Sequence, residues 1–129
     1  METGAVHHVG LAVSKLNETA SFFIDCLGWD LVREVPDYPA KFVSNGSSFF
    51  TLWQTDEEVN SFNRRSNVGL HHIAIRVPKE NDLVPLFEKV CGFPGVAIDF
   101  APELLKGGPA KHFMVFEPSG LRMEFIWAP

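Results

Sequence analysis

His8-Val9-Gly10-Leu11-Ala12-Val13 returns in altered form as His72-Ile73-Ala74-Ile75-Arg76-Val77. A further histidine precedes each copy, His7 and His71. Each copy leads into a helix-like stretch closed by a related phrase, Cys26-Leu27-Gly28-Trp29 and then Cys91-Gly92-Phe93. A repeat at such a period means that one structural unit is used twice. The alternation within both hexapeptides, with Val9, Leu11 and Val13 and then Ile73, Ile75 and Val77 at every second place, is a strand signal.

Working outward from the first copy, Asn17 is a plausible N-cap. Ala20, Phe23, Ile24 and Leu27 then recur at helical spacing until Gly28 stops the helix. Strand candidates follow at 30–34, 40–44 and 48–55, with Asn45-Gly46 turning the last two into a hairpin. The second copy repeats the plan. A strand over 70–77 leads to a helix from Asn81 or Asp82 to Val90, and Gly92 ends it. Strands follow near 95–100, 111–116 and 122–127, with Pro118-Ser119-Gly120 turning the chain between the final two. The expected fold is α+β, a pair of βαβββ modules forming a curved mixed sheet around a cleft. Module 1 covers about 4–65 and module 2 about 68–129, divided near Ser66-Asn67. Neither half looks able to bury its apolar face alone, so 1–129 reads as a single domain.

Strand parity then selects the chemistry, because residues two apart share a face. Val9, Leu11 and Val13 form the apolar set of the first strand, as do Ile73, Ile75 and Val77 in its twin. The final strand sends Met123, Phe125 and Trp127 the same way. On the non-helix face this leaves His8, Gly10 and Ala12, then His72, Ala74 and Arg76, then Arg122, Glu124 and Ile126. If the sheets curl toward each other, two imidazoles and a carboxylate meet in a cleft with small neighbours beside them. Those ligand types bind borderline divalent metals. Two histidines and one carboxylate with positions left open is the facial triad of non-haem Fe(II) oxygenases, and the set also suits Zn, Mn, Ni or Co.

Composition narrows the partners. The chain has 129 residues, and its 16 acids exceed its 11 Lys and Arg to give a net charge of −5. That balance argues against a nucleic-acid partner, which needs a basic face. No apolar run approaches a membrane span, and the first residues have neither the positive nor the apolar part of a secretory signal. Cys26 and Cys91 are too few for a disulfide scaffold and read as reduced, buried thiols. A cytoplasmic protein is expected.

In these residues the sequence resembles the vicinal oxygen chelate superfamily, which holds glyoxalase I, fosfomycin- and bleomycin-resistance proteins, methylmalonyl-CoA epimerase and extradiol dioxygenases. The matching phrases are His8-Val-Gly-Leu-Ala-Val-Ser-Lys-Leu, Phe22-Phe23…Leu27-Gly28-Trp29, Gly69-Leu70-His71-His72-Ile73-Ala74 and Glu117-Pro118-Ser119-Gly120-Leu121-Arg122-Met123-Glu124-Phe125. The resemblance implies a divalent metal held by His8, His72 and Glu124. Glyoxalase I uses a fourth ligand, a glutamate on the last strand of module 1, where this chain has Thr51. Threonine is a poor ligand and no base, which argues against chemistry that needs a carboxylate beside the metal.

The favoured expectation is therefore a metal-dependent enzyme acting on a small oxygen-rich substrate, dioxygenase-like before lactoylglutathione-lyase-like. A metal-free binder of the bleomycin-resistance kind is the alternative. Glu124 and His112 are the candidate acid–base groups. Arg76, Arg122 and Lys111 are candidates for gripping an anionic substrate, with Thr51, Trp53 and Phe49 forming a wall. Relatives commonly pair, so a homodimer is expected. Each ligand occurs once per chain, so the set can be completed within one chain or across a swapped pair.

Overall fold

The computed structural model describes residues 1–56 and 60–129. Their contacts gather into two compact units, Met1–Val59 and Asn60–Pro129, so residues 60–66 go with the second. The first unit runs β1 (Val9–Val13), α1 (Leu16–Ser21), a π-helical turn (Phe22–Cys26), β2 (Asp30–Val35), β3 (Ala40–Ser44) and β4 (Phe49–Gln54). The second runs β5 (Ile73–Arg76), a 3₁₀ turn (Glu80–Asp82), α2 (Leu83–Cys91), β6 (Ala97–Leu104), β7 (Lys111–Phe116) and β8 (Arg122–Trp127). The sheet orders are β1-β4-β3-β2 and β5-β8-β7-β6. In each, the first strand lies parallel to the last and the other neighbours are antiparallel. The fold is α+β, two βαβββ units with a mixed four-stranded sheet in each.

Alternation gives each sheet a buried helix side. In unit 1, Leu11, Val13, Val43, Phe50 and Leu52 pack beneath Leu16, Ala20, Phe22, Phe23 and Cys26. Phe23, Trp29 and Phe50 form an aromatic knot, with centroids 5.0 to 5.7 Å apart. In unit 2, Phe113 stacks on Phe125 at 4.9 Å, and Phe87 of α2 meets Phe113 edge-on. Burying each ring contributes about 1.5–3 kcal/mol. Among the described residues, no helix is long and apolar enough to cross a membrane.

Several local expectations are corrected. Asn17 does not cap α1: the cap position is Lys15, and no side chain of its own bonds there. Gln54 at the end of β4 serves instead. Its Oε1 accepts the Leu16 N–H at 3.0 Å, and its Nε2 donates to the carbonyls of Ser14 and Thr55. The helical spacing also fails after Ser21, where Leu27 N–H bonds back to the Phe22 carbonyl across five residues. That wider turn buries Phe22 and Cys26 and leaves Ile24 and Leu27 only half-buried. Gly28 does end the helix, at φ +75°. Cys26 lies in the core, whereas Cys91 at the end of α2 is only partly covered. Neither thiol is in a disulfide, and burial pushes the Cys91 thiol up.

β3, β7 and β8 begin and end where expected, but β5 is shorter and β6 reaches on to Leu104. β1 and β5 start at Val9 and Ile73, so His8 and His72 hold matching places immediately before their strands.

Candidate metal centre

Register makes the two sheets comparable residue by residue. Gly10 lies opposite Thr51 on the parallel β1–β4 pair, and Ala74 lies opposite Glu124 on β5–β8. Gly10 and Ala74 each stand two places after the repeat histidine, so Thr51 holds in unit 1 the position that Glu124 holds in unit 2.

In unit 2, β8 carries Glu124 on the non-helix face and buries Met123 and Phe125 on the other. His72 Nε2 stands 3.6 Å from Glu124 Oε1. That is too long for a hydrogen bond. Two donors about 2.1 Å from one tetrahedral ion stand about 3.4 Å apart, so the pair fits a shared cation. The other carboxylate oxygen is already engaged: Glu124 Oε2 lies 2.5 Å from Nδ1 of His112, which is buried on β7. The His112 ring rests edge-on against Phe100, and its Nε2 is 3.8 Å from Glu103 Oε1.

Both repeat histidines are backed by the histidine before them. Nδ1 of His71 lies 2.7 Å from Nδ1 of His72, and the same atoms of His7 and His8 are 2.9 Å apart. One ring of each pair must donate and the other accept. Where His72 donates, its Nε2 carries a free lone pair, the form a metal requires. His71 is held below the ordinary imidazole value, first by lost hydration and then by the positive charges of His72, Arg122 and Arg64.

In unit 1, Thr51 is buried and its hydroxyl accepts the Trp53 indole N–H at 2.9 Å. A Cβ at position 10 would come within 3.3 Å of that hydroxyl, so glycine leaves room for the Thr51–Trp53 contact. Around it spreads an aromatic face: Trp53 meets Tyr38 at 5.1 Å and Phe42 at 5.6 Å, and Phe42 meets Phe49 at 6.0 Å. The His8 ring stands edge-on to Phe49 at 6.2 Å, and the Arg33 guanidinium lies over Phe42.

The candidate cations are placed differently from one another. Arg122 shares the face of Glu124 and donates from Nε to Asp99 at 2.9 Å. Arg76 is exposed on β5. Lys111 alternates to the other side of β7, where its Nζ is 2.6 Å from Glu80 ahead of α2. It borders a groove of about 470 Å³ there with Leu83, Val84 and Leu104. Sequence reasoning missed Phe42, Tyr38, Asp99 and Glu103. Phe42 was open to detection, since its alternation on β3 puts it opposite Thr51. Asp99 and Glu103 were not, because β6 is irregular on either side of Phe100, which breaks the two-residue rule. Among the described residues, no three His, Cys, Asp or Glu side chains are grouped closely enough to hold an ion alone.

The doubled βαβββ plan and the matched His-strand placements define a class, and comparison with known proteins agrees. Residues 5–125 match the model of the Glyoxalase/Bleomycin resistance protein/Dioxygenase superfamily. The chain belongs to that family. Among solved structures it is similar to a glyoxylase/bleomycin resistance protein/dioxygenase domain from Frankia sp. EAN1pec, with 22% identity, TM-score 0.81, and 99% of this chain and 100% of that one covered. It is also similar to the fosfomycin resistance protein FosX from Listeria monocytogenes, at 15% identity, TM-score 0.76 and 99% and 96% coverage. Lactoylglutathione lyase from Agrobacterium tumefaciens follows at 14%, 0.72, and 98% and 96%. At such identities the likeness is one of fold. No curated protein sequence matches the chain.

Proposed function

We propose that the chain is a divalent-metal-dependent enzyme of the glyoxalase/dioxygenase type, with His8, His72 and Glu124 as ligands and a small oxygen-rich molecule as substrate. The observation that carries this reading is the spacing of His72 Nε2 and Glu124 Oε1, 3.6 Å with no hydrogen bond between them. A divalent ion held there would act as a Lewis acid, stabilising negative charge that develops on substrate oxygens. Thr51 in place of a fourth carboxylate favours a three-ligand site and hence dioxygenase-like chemistry over lactoylglutathione-lyase-like isomerisation. The chain's own residues supply the rest. Phe49, Trp53 and Thr51 present an apolar wall, and Arg76 and Arg122 offer positive charge to an anionic substrate.

Zinc, manganese, iron(II), nickel and cobalt titrations of the chelator-treated protein test the reading, followed by assays for oxygen uptake with catechols and for lactoylglutathione lyase. Binding of one of these ions with loss in Glu124→Gln is the expected result; no binding of any of them rejects it. The aromatic face of Tyr38, Phe42, Phe49 and Trp53 favours a second reading, a metal-free protein that captures an aromatic ligand between rings. We further propose a homodimer, as the family resemblance implies, and a cytoplasmic location, in keeping with two cysteines outside any disulfide.

A further inference from the structure

We propose that His112 is a positioning residue that fixes which oxygen of Glu124 is offered to a cation. The proposal deepens the metal-dependent reading and rests on it. His112 has a side chain only 9% exposed, so neither ring nitrogen is freely hydrated. Nδ1 reaches Glu124 Oε2 at 2.5 Å, and Nε2 faces Glu103 Oε1 at 3.8 Å. With Nδ1–H donating, Oε2 is occupied and Oε1 is left turned toward His72 Nε2.

The backbone sets this up in two ways. His112 and Glu103 are direct cross-strand partners on β7 and β6. Glu124 pairs with Met114, two places along β7, so His112 is its diagonal neighbour on the same face. Phe100, edge-on to the imidazole at 4.9 Å, leaves the ring little room to turn. A carboxylate locked through one oxygen presents a single donor in a fixed direction, which is how an outer group raises the affinity of an inner ligand. In this arrangement His112 acts through Glu124 and does not touch the substrate.

Asparagine and glutamine separate the two ring nitrogens, since the amide of asparagine falls near the place of Nδ1 and that of glutamine near Nε2. Zinc titration by calorimetry would compare His112→Asn, His112→Gln and His112→Phe with the wild type, each checked for a cooperative thermal melt. The expected result is affinity within about threefold of wild type for His112→Asn and a loss of about 10–100-fold for the other two. Equal losses in His112→Asn and His112→Phe, or unchanged affinity in all three, would overturn the proposal.

A second readout needs no metal. Nitrogen-15 spectra of the metal-free protein should show His112 Nδ1 carrying a proton. A bare Nδ1 would overturn the assignment even in variants that melt early. If the wild type takes up neither zinc nor any other of these divalent ions, the metal reading of Glu124 fails, and the spectrum still decides whether His112 holds that carboxylate.

Discussion

Thr51 and Glu124 sit at equivalent points of two copies of one sheet, yet their surroundings differ in kind. Glu124 is flanked by two imidazoles, whereas Thr51 is capped by an indole. Removing the hydroxyl would leave the Trp53 N–H without its acceptor. Thr51→Val should therefore cost about 1 kcal/mol in urea unfolding and alter Trp53 fluorescence. Unchanged stability and emission would show that the bond contributes nothing. Glu117 belongs to the same scale: it is fully buried, and its Oε1 accepts the N–H groups of Ser119 and Leu121 across the β7–β8 turn. Glu117→Ala strips acceptors from two backbone donors and should lower stability by about 2–3 kcal/mol, read from the same denaturant curves.

At the scale of elements, the start of α1 depends on a side chain from a distant strand. Gln54 bonds to Leu16, Ser14 and Thr55 and so joins β4 to the β1–α1 corner. Gln54→Ala should destabilise the protein by about 1–3 kcal/mol, while Asn17→Ala, outside the cap, should stay within about 0.5 kcal/mol. The reverse order would restore Asn17 as the cap. Strands were the legible elements, since two-residue alternation forecasts β3, β7 and β8 to the residue, and the hexapeptide repeat forecasts the matched placement of His8 and His72. The cap was not legible because Gln54 is remote in sequence. The π turn at Phe22–Cys26 was not legible because a helix with one widened turn keeps a plausible 3.6-residue pattern. Of the candidate site, His112 beside Glu124 follows from β7–β8 pairing, while Glu103 depends on the irregular stretch of β6.

At the scale of the whole molecule, the proposed homodimer predicts light scattering at twice the 14.4 kDa chain mass, and a monomer at all concentrations would reject it. The acidic balance of the chain, −5, concentrates no positive field for a polyanion, in keeping with a small-molecule partner. The proposed chemistry rests on one cation being bound by His8, His72 and Glu124. The most direct test is metal analysis and zinc titration of the wild type beside His8→Ala, His72→Ala and Glu124→Gln. One ion per chain is expected in the wild type, with loss of binding in each single variant. Absence of binding in the wild type, or binding that survives His8→Ala undiminished, would contradict it.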